Sequence, residues 1–201
     1  IDFSDFVASE DVRRESWRRK FGGGSTMAEA EPNAGHLGVL ELDRRGKLNA
    51  VITQNVDGLH QKSGIDDGKV IELHGNANYA TCLDCLKRFE LSEIASIFNQ
   101  NETVPYCDQC SGILKTATIS FGQSMPEVPM ARSQEAVMSC DLMLAMGSSL
   151  TVYPAAAFPR IAKQNGARLV IINNEPTDLD AVCDLVLHEP IGLTLSAALN
   201  I

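Results

Sequence analysis

The sequence predicts an α/β protein, with a parallel sheet covered on both faces, a small inserted cysteine-bearing module and a small helical segment. Three observations carry this. Short apolar runs at 48–53, 70–73, 141–145, 168–172 and 185–187 alternate with stretches of helical spacing. Between 78 and 115 the character turns polar, with two Cys-x-x-Cys pairs. The chain has 201 residues, 44% of them hydrophobic, enough for one cored domain plus a small insert.

Taken in order, residues 5–20 are expected to be helical, with Phe6, Val12 and Trp17 as apolar contacts, and FGGGST at 21–26 is a break. Pro32-Asn33 introduces a helical run in which His36, Leu37, Val39, Leu40 and Leu42 fit one buried face. Gly46 ends it beside Arg44 and Arg45, cations suited to the negative end of a helix dipole. The runs 48–53 and 70–73 are predicted strands, and within the module only 91–98 is helical. A strand at 117–121 follows, then a helix around 127–139 and the strand 141–145, which feeds a Gly-Ser-Ser turn. A helix around 155–165, strands at 168–172 and 185–187, and a last helix from Gly192 complete the chain. The expected division is one α/β domain from 1–77 and 116–201, with 1–31 in a helical small part, and a metal-binding module at 78–115.

Composition narrows the function. Lys and Arg number 17 against 26 Asp and Glu, a net charge of −9, so direct binding to nucleic acid is not expected. The basic cluster Arg13-Arg14 and Arg18-Arg19-Lys20 is offset by Asp5, Glu10, Asp11 and Glu15 and reads as a solvated helix face. An acidic surface suits a basic, lysine-bearing partner. No apolar run approaches the roughly 18 residues of a membrane span, so no membrane partner is expected. The opening IDFSDFVASEDVRRE has no basic start followed by an apolar stretch, so no signal peptide is expected. Six cysteines, four of them in Cys-x-x-Cys pairs, are metal arithmetic rather than a secreted disulfide framework. They point to a reducing compartment: the cytoplasm, or the nucleus in a eukaryote.

Cys82-x-x-Cys85 and Cys107-x-x-Cys110 stand 21 residues apart. Two such turns close a tetrahedron of thiolates, the geometry zinc prefers, and leave no open position for water. The predicted site is therefore structural. An iron–sulfur cluster or four unliganded cysteines are the alternatives. Cys140 and Cys183 stand in apolar surroundings and read as core.

In an open parallel sheet, ligands sit beyond the carboxyl ends of the strands. Gly147-Ser148-Ser149 follows one such strand and offers backbone N–H groups and hydroxyls to a phosphate or ribose. Asn173-Asn174-Glu175 ends another and suits ribose hydroxyls, or equally a helix-capping turn. Gln54, Asn55, Asp57 and His74 follow the strands at 48–53 and 70–73. A histidine so placed can act as a general base beside amides and a carboxylate able to hold a sugar and a carboxamide. His60 reads as a packing or capping residue, and His36 and His188 have no catalytic reading. No G-x-G-x-x-G fingerprint is present.

TQNVDGLHQKSG, ELHG, the paired Cys-x-x-Cys, ISFGQSMP, MGSSLTVYPAA and IINNEPT, in that order, resemble the sirtuins over about residues 30–195. The resemblance implies a Rossmann-like, doubly wound domain carrying a zinc-ribbon-like module and a helical part. It implies NAD as co-substrate and acyl-lysine proteins or peptides as partners. His74 resembles the general base that activates a ribose hydroxyl, and Gln54 and Asn55 the amides that orient the nicotinamide ribose and a water. Asp57 resembles the carboxylate that binds the nicotinamide carboxamide. Gly147, Ser148, Ser149, Asn173, Asn174 and Glu175 match the adenosine side, with Ile191 placed to close over adenine. Ile119, Phe121 and Gly122 lie in the strand that pairs with the peptide, and Val152 in the lysine-tunnel wall. The implied reaction has the acyl oxygen displace nicotinamide, after which His74 helps a ribose hydroxyl attack the imidate. The products are free lysine and an acylated ADP-ribose.

The family's opening GAGxS turn and GIPDFR loop are not in this sequence, and Gln123 stands where Glu is frequent. Residues upstream of Ile1 are therefore expected, and the chain alone is expected to bind NAD weakly and to be inactive. Two other functions remain compatible with these residues: mono-ADP-ribosyl transfer on the same fold, and a zinc-stabilised module that holds NAD or ADP-ribose without turnover.

Overall fold

The structure is a computed structural model, and it describes residues 1–22 and 29–201. In chain order the elements are α1 (Phe3–Ala8), α2 (Glu10–Gly22), α3 (Ala34–Arg44), β1 (Val51–Thr53), α4 (Leu59–Lys62), β2 (Val70–Glu72), β3 (Gly75–Cys82) and β4 (Arg88–Glu90). They continue with α5 (Leu91–Phe98), β5 (Leu114–Thr118), α6 (Glu127–Ser139), β6 (Leu142–Met146), α7 (Phe158–Gln164), β7 (Arg168–Ile172), β8 (Leu185–Leu187) and α8 (Ile191–Leu199). The chain forms two compact units: one of 1–30, 54–58 and 74–125, the other of 31–53, 59–73 and 126–201.

The first unit is built on an antiparallel sheet of order β4-β3-β5. Its core is Trp17, Ala80, Cys82, Phe89, Ile94, Phe98, Cys107 and Leu114, all buried. Trp17 stacks on Phe21 at 5.7 Å, and Phe21 meets Phe98 at 5.9 Å, so three aromatic rings tie α2 to α5. Each fully buried side chain of this size contributes roughly 1.5–3 kcal/mol.

The helix expected at 5–20 is two helices, broken at Ser9. Its N–H bonds the Asp5 carbonyl at 3.1 Å, but its own backbone is extended, which ends α1. Only Phe21 and Gly22 of the expected break at 21–26 are described, and they close α2; positions 23–26 lie outside the described residues. The basic cluster is not uniformly solvated either. Arg14, Arg18 and Arg19 pair with Glu10, Asp11, Glu15 and Glu102 at the surface, where such pairs contribute about 0–1 kcal/mol. Arg13 instead is buried and donates to the Phe6 and Val7 carbonyls at 3.0 and 2.8 Å, satisfying the end of α1. Lys20 reaches the Ala77 carbonyl at 2.7 Å, and burial lowers its pKa.

The second unit carries the parallel α/β character. β1 pairs with β2, and β6, β7 and β8 form a parallel sheet in that order. The strands thus pair as two parallel ladders, β1 with β2 and β6 with β7 and β8. One core layer is Val39, Leu40, Ile65, Val70, Ile172, Leu195 and Leu199; another is Ala145, Leu150, Ala156, Leu169, Ile171 and Leu179. Helix α3 starts on an Asn33 cap whose Oδ1 accepts from the Gly35 N–H at 2.9 Å, with His36 returning a bond to the Asn33 N–H. Gly38 lets α3 lie against α8, since a Cβ there would come within 2.7 Å of Leu195.

Several strands are shorter than their apolar runs: 48–53 narrows to Val51–Thr53, and 70–73 to Val70–Glu72. The strand expected at 117–121 is instead Leu114–Thr118, because the chain turns after Thr118. The strand at 141–145 sits one residue later, and the helix at 155–165 is a 3₁₀ turn, Ala155–Ala157, running into α7. Cys140 and Cys183 are half-buried; Cys183 packs against the second of the two core layers above, and each thiol faces the carbonyl three residues back, of Val137 and Asp180. Among the described residues no helix is long and apolar enough to cross a membrane.

Candidate functional site

Candidate residues fall in both units. In the first, Gln54–Asp57 follow directly on the last residue of β1, and His74 follows β2 after the intervening Leu73. His74 is half-buried, with Nδ1 3.2 Å from the Gln54 carbonyl oxygen. A carbonyl only accepts, so Nδ1 is the donor of this pair, which in the neutral form of the ring leaves the lone pair at Nε2. The main chain around the ring is held on both sides. The Ile119 N–H donates to the His74 carbonyl at 2.8 Å. Gly75 has φ of +72°, and a Cβ there would lie 1.9 Å from the Ala117 carbonyl oxygen. The chain passes too close at this point for any side chain.

The Gln54–Gly58 loop is held by β3. The Ala77 N–H donates to the Val56 carbonyl at 2.7 Å, and the Asn78 side-chain amide to the Asp57 carbonyl at 2.8 Å. Asn78 is fixed in turn by its own N–H to Asn76 Oδ1 at 2.8 Å. Asn55 is exposed, while Gln54 and Asp57 are half-buried. Neither Asn76 nor Asn78 stands out in the sequence, because a polar residue in a polar stretch gives no periodic signal.

Ile119–Gly122 leave β5 as a turn rather than a strand. The Gln123 N–H donates to the Ser120 carbonyl at 3.0 Å, and Gln123 Oε1 accepts from the Ser120 N–H at 3.2 Å. Gly122 takes φ of +80°, and the Phe121 carbonyl accepts from the Phe3 N–H at 3.0 Å. The Phe121 ring is 84% exposed, which no packing role explains. Burial lowers the pKa of Lys115, on β5, to about 8.

The four cysteines also lie in the first unit, with all four sulfurs within 4.8 Å of one another. Cys82 and Cys110 Sγ atoms are 3.4 Å apart, and those of Cys85 and Cys107 are 3.6 Å apart. A disulfide needs about 2.05 Å. Zinc–sulfur bonds of about 2.3 Å make a tetrahedron with an edge of about 3.8 Å, close to these separations. Burial raises the Cys82 thiol, yet the Cys85 and Asp84 N–H groups and the adjoining thiols bring it down to about 7. At Cys110 the Gly112 N–H pulls down, but the Cys82 and Cys85 thiols and burial win and push it up to about 12. One acidic thiol among its partners is a donor set that fits a thiophilic dication.

In the second unit, Gly147, Asn173–Glu175 and Ile191 come at the carboxyl ends of β6, β7 and β8. The Gly147 N–H donates to the Ile172 carbonyl at 3.0 Å, and the Asn173 N–H to the Leu187 carbonyl at 3.1 Å. Gly147 has φ of +62°, and a Cβ there would lie 3.0 Å from Ile191 Cδ1, so Ile191 closes directly over this turn. Ser148 Oγ accepts from the Leu150 N–H at 3.2 Å, and Ser149 and Thr151 hydroxyls pair at 2.8 Å. The Asn173 side chain donates to the Glu175 carbonyl at 2.6 Å, and the Asn173 carbonyl accepts from His188 Nδ1 at 2.9 Å. His188 therefore braces the loop, a role its sequence position did not reveal. Asn174 and Glu175 are exposed beside it. Val152 is exposed, ahead of a cis Tyr153–Pro154 bond. His36 and His60 rings meet at 4.9 Å.

A parallel α/β unit with a bare glycine turn at its strand ends, and an antiparallel unit with a braced imidazole and four clustered thiols compatible with zinc, are the scaffold on which the comparisons bear. The Sir2 family model matches residues 1–154, and the chain belongs to that family. It is 50% identical over 195 residues to an NAD-dependent protein deacetylase of Rhodopseudomonas palustris, covering 97% of this chain and 77% of the relative. It is 52% identical over 195 residues to NAD-dependent protein deacetylase 1 of Bradyrhizobium diazoefficiens, covering 97% and 76%. A solved structure of Sir2 bound to acetylated peptide superposes with a TM-score of 0.90 at 31% identity, covering 99% of this chain and 81% of that one.

Proposed function

We propose that this chain is an NAD-dependent protein-lysine deacylase that moves the acyl group of a modified lysine to ADP-ribose and releases nicotinamide. The observation that carries the reading is the His74 imidazole, held at Nδ1 by the Gln54 carbonyl inside the TQNVDG and ELHG motifs. Nε2 takes the proton of a ribose hydroxyl as that oxygen attacks the imidate. Gln54 and Asn55 orient the nicotinamide ribose and a water, and Asp57 takes the carboxamide. Gly147, Ser148, Ser149, Asn173, Asn174, Glu175 and Ile191 hold the adenosine side. Ile119, Phe121 and Gly122 receive the peptide backbone, and Val152 lines the path of the acyl-lysine. Main-chain pairing of this kind tolerates varied peptide sequences. The relatives' names and the acetylated-peptide complex of the solved neighbour support the substrate class.

Cys82, Cys85, Cys107 and Cys110 are assigned to one zinc ion, which supplies cross-linking of the β3 and β5 ends and no catalytic step. The unpaired thiols favour a reducing setting, and we assign the protein to the cytoplasm. The net charge of −9 supports a protein partner over nucleic acid.

The test is mass spectrometry of the protein with the GAGxS and GIPDFR segment present, incubated with NAD and an acetyl-lysine peptide. The expected products are nicotinamide, the free-lysine peptide and acetylated ADP-ribose. ADP-ribose attached to protein with the acetyl group still on lysine would replace the reading with ADP-ribosyl transfer. NAD binding without nicotinamide release would replace it with a binding module.

A further inference from the structure

Lys115 is the residue of the first unit that the reaction above does not use and that the fold does not easily explain. It sits on the edge strand β5 opposite Thr81, yet is only 5% exposed. A lysine is seldom buried to that degree, because taking its ammonium from water is costly unless acceptors replace the water. Here they do. Nζ donates to the Thr118 carbonyl and, at 3.4 Å, to the Thr116 carbonyl, and it lies 6.0 Å from the centre of the buried Phe6 ring. The side chain thus runs along its own strand and grips the last residue of it.

That last residue is the hinge of the segment assigned to the peptide. Thr118 pairs with Gly75, the neighbour of His74, and the next residue, Ile119, bonds the His74 carbonyl. Beyond it the Ile119–Gly122 turn is held from the other end by the Phe3 N–H on the Phe121 carbonyl. Between these two anchors the turn is exposed or half-buried. With its pKa near 8, the amine is predominantly the charged donor at neutral pH, and a charged donor makes the stronger bond to a carbonyl.

We propose that Lys115 is a positioning residue for the acyl-lysine peptide: its buried ammonium clamps the Thr118 carbonyl and so fixes the Ile119–Gly122 turn in the shape to which the peptide backbone adds. This rests on the reading of Ile119–Gly122 as the peptide-pairing segment.

The experiment is steady-state kinetics of the protein with the GAGxS and GIPDFR segment present, with an acetyl-lysine peptide and NAD varied in turn, for Lys115→Met, Lys115→Arg and Phe121→Ala. Lys115→Met keeps the stem and removes the donor. The expected result is a KM for peptide raised about tenfold, with kcat within about threefold and the KM for NAD unchanged. Lys115→Arg retains a charged donor and is expected within about threefold of wild type on every constant. An unchanged peptide KM in Lys115→Met overturns the proposal. So does an equal loss in kcat and in both KM values, the mark of general damage. If Lys115→Met does not fold, Lys115→Gln, whose shorter amide keeps a weaker donor, takes its place. A peptide KM at least about threefold above wild type is then expected, and an unchanged one overturns the proposal. Phe121→Ala separates the two readings. If it raises the peptide KM and the Lys115 variants do not, only the clamp falls. If neither moves it, the peptide-pairing segment falls too.

Discussion

His74 Nδ1 lies 3.2 Å from the carbonyl oxygen of Gln54, a main-chain acceptor that no substitution at position 54 removes. The tautomer needed for a base at Nε2 is therefore set by the path of the chain after β1 and not by a neighbouring carboxylate. His74→Ala is expected to lower acyl transfer by about a hundred- to ten-thousandfold with the fold retained, as a lost general base does. Gln54→Ala leaves the carbonyl in place and is expected to cost less. Product formation under single turnover, with circular dichroism to check the fold, measures both. Near-normal transfer in His74→Ala would withdraw the assignment.

Asp57→Asn keeps the loop contact made by the Asp57 carbonyl with Asn78 and removes the side-chain charge. It is expected to slow exchange of labelled nicotinamide into NAD by about tenfold or more, because a carboxylate accepts an amide N–H more strongly than a neutral oxygen does. Loop folding, read by thermal melting, is expected to be unchanged.

Elemental analysis is expected to give about one zinc per chain, and any one of Cys82→Ser, Cys85→Ser, Cys107→Ser or Cys110→Ser to lose it. Cys82 and Cys107 are buried, so their substitution is also expected to loosen the antiparallel sheet. Cys140→Ser and Cys183→Ser touch none of the four and are expected to leave the metal content unchanged. Iron with visible absorbance would point to a cluster instead.

Gly75 is a sharper test of the packing behind His74. At φ of +72°, and with a Cβ 1.9 Å from the Ala117 carbonyl oxygen, Gly75→Ala has to force two backbones apart. A loss of at least about 2 kcal/mol in urea unfolding is expected. A smaller loss would mean that the β3–β5 contact yields readily.

The parallel part of the fold was legible because strands such as Arg168–Ile172 and Leu185–Leu187 are apolar runs bounded by loops. The antiparallel sheet was not. β3 reads Gly-Asn-Ala-Asn-Tyr-Ala-Thr-Cys, small and polar residues whose strand character comes from their partners on β4 and β5. The clustering of the four cysteines and the polar strand ends were legible from spacing, since chemistry demands particular residues at fixed separations. The residues that hold them were not. Asn78, His188 and Lys115 act through main-chain carbonyls distant in sequence or hidden by burial, and a carbonyl leaves no mark in the sequence.

Lys115 gives a prediction about pH whose sign is unusual for a lysine. Burial lowers its folded-state pKa from 10.5 to about 8, so between these values the unfolded chain holds the proton and the folded chain releases it. Stability rises with pH wherever the unfolded state binds more protons. The gain is complete above the unfolded value and is lost as pH falls through about 8. The Thr118 carbonyl works the other way, because it favours the ammonium and narrows the window. Lys115→Met has no proton to lose. The difference in unfolding free energy between wild type and Lys115→Met is therefore expected to move in favour of wild type between about pH 8 and 10.5, by about 1–3 kcal/mol. Urea titrations of both proteins at pH 7, 8, 9 and 10 measure it, and taking the difference cancels titrations common to the two. A difference flat across that range would mean that the carbonyls fully offset burial and that Lys115 keeps its proton throughout.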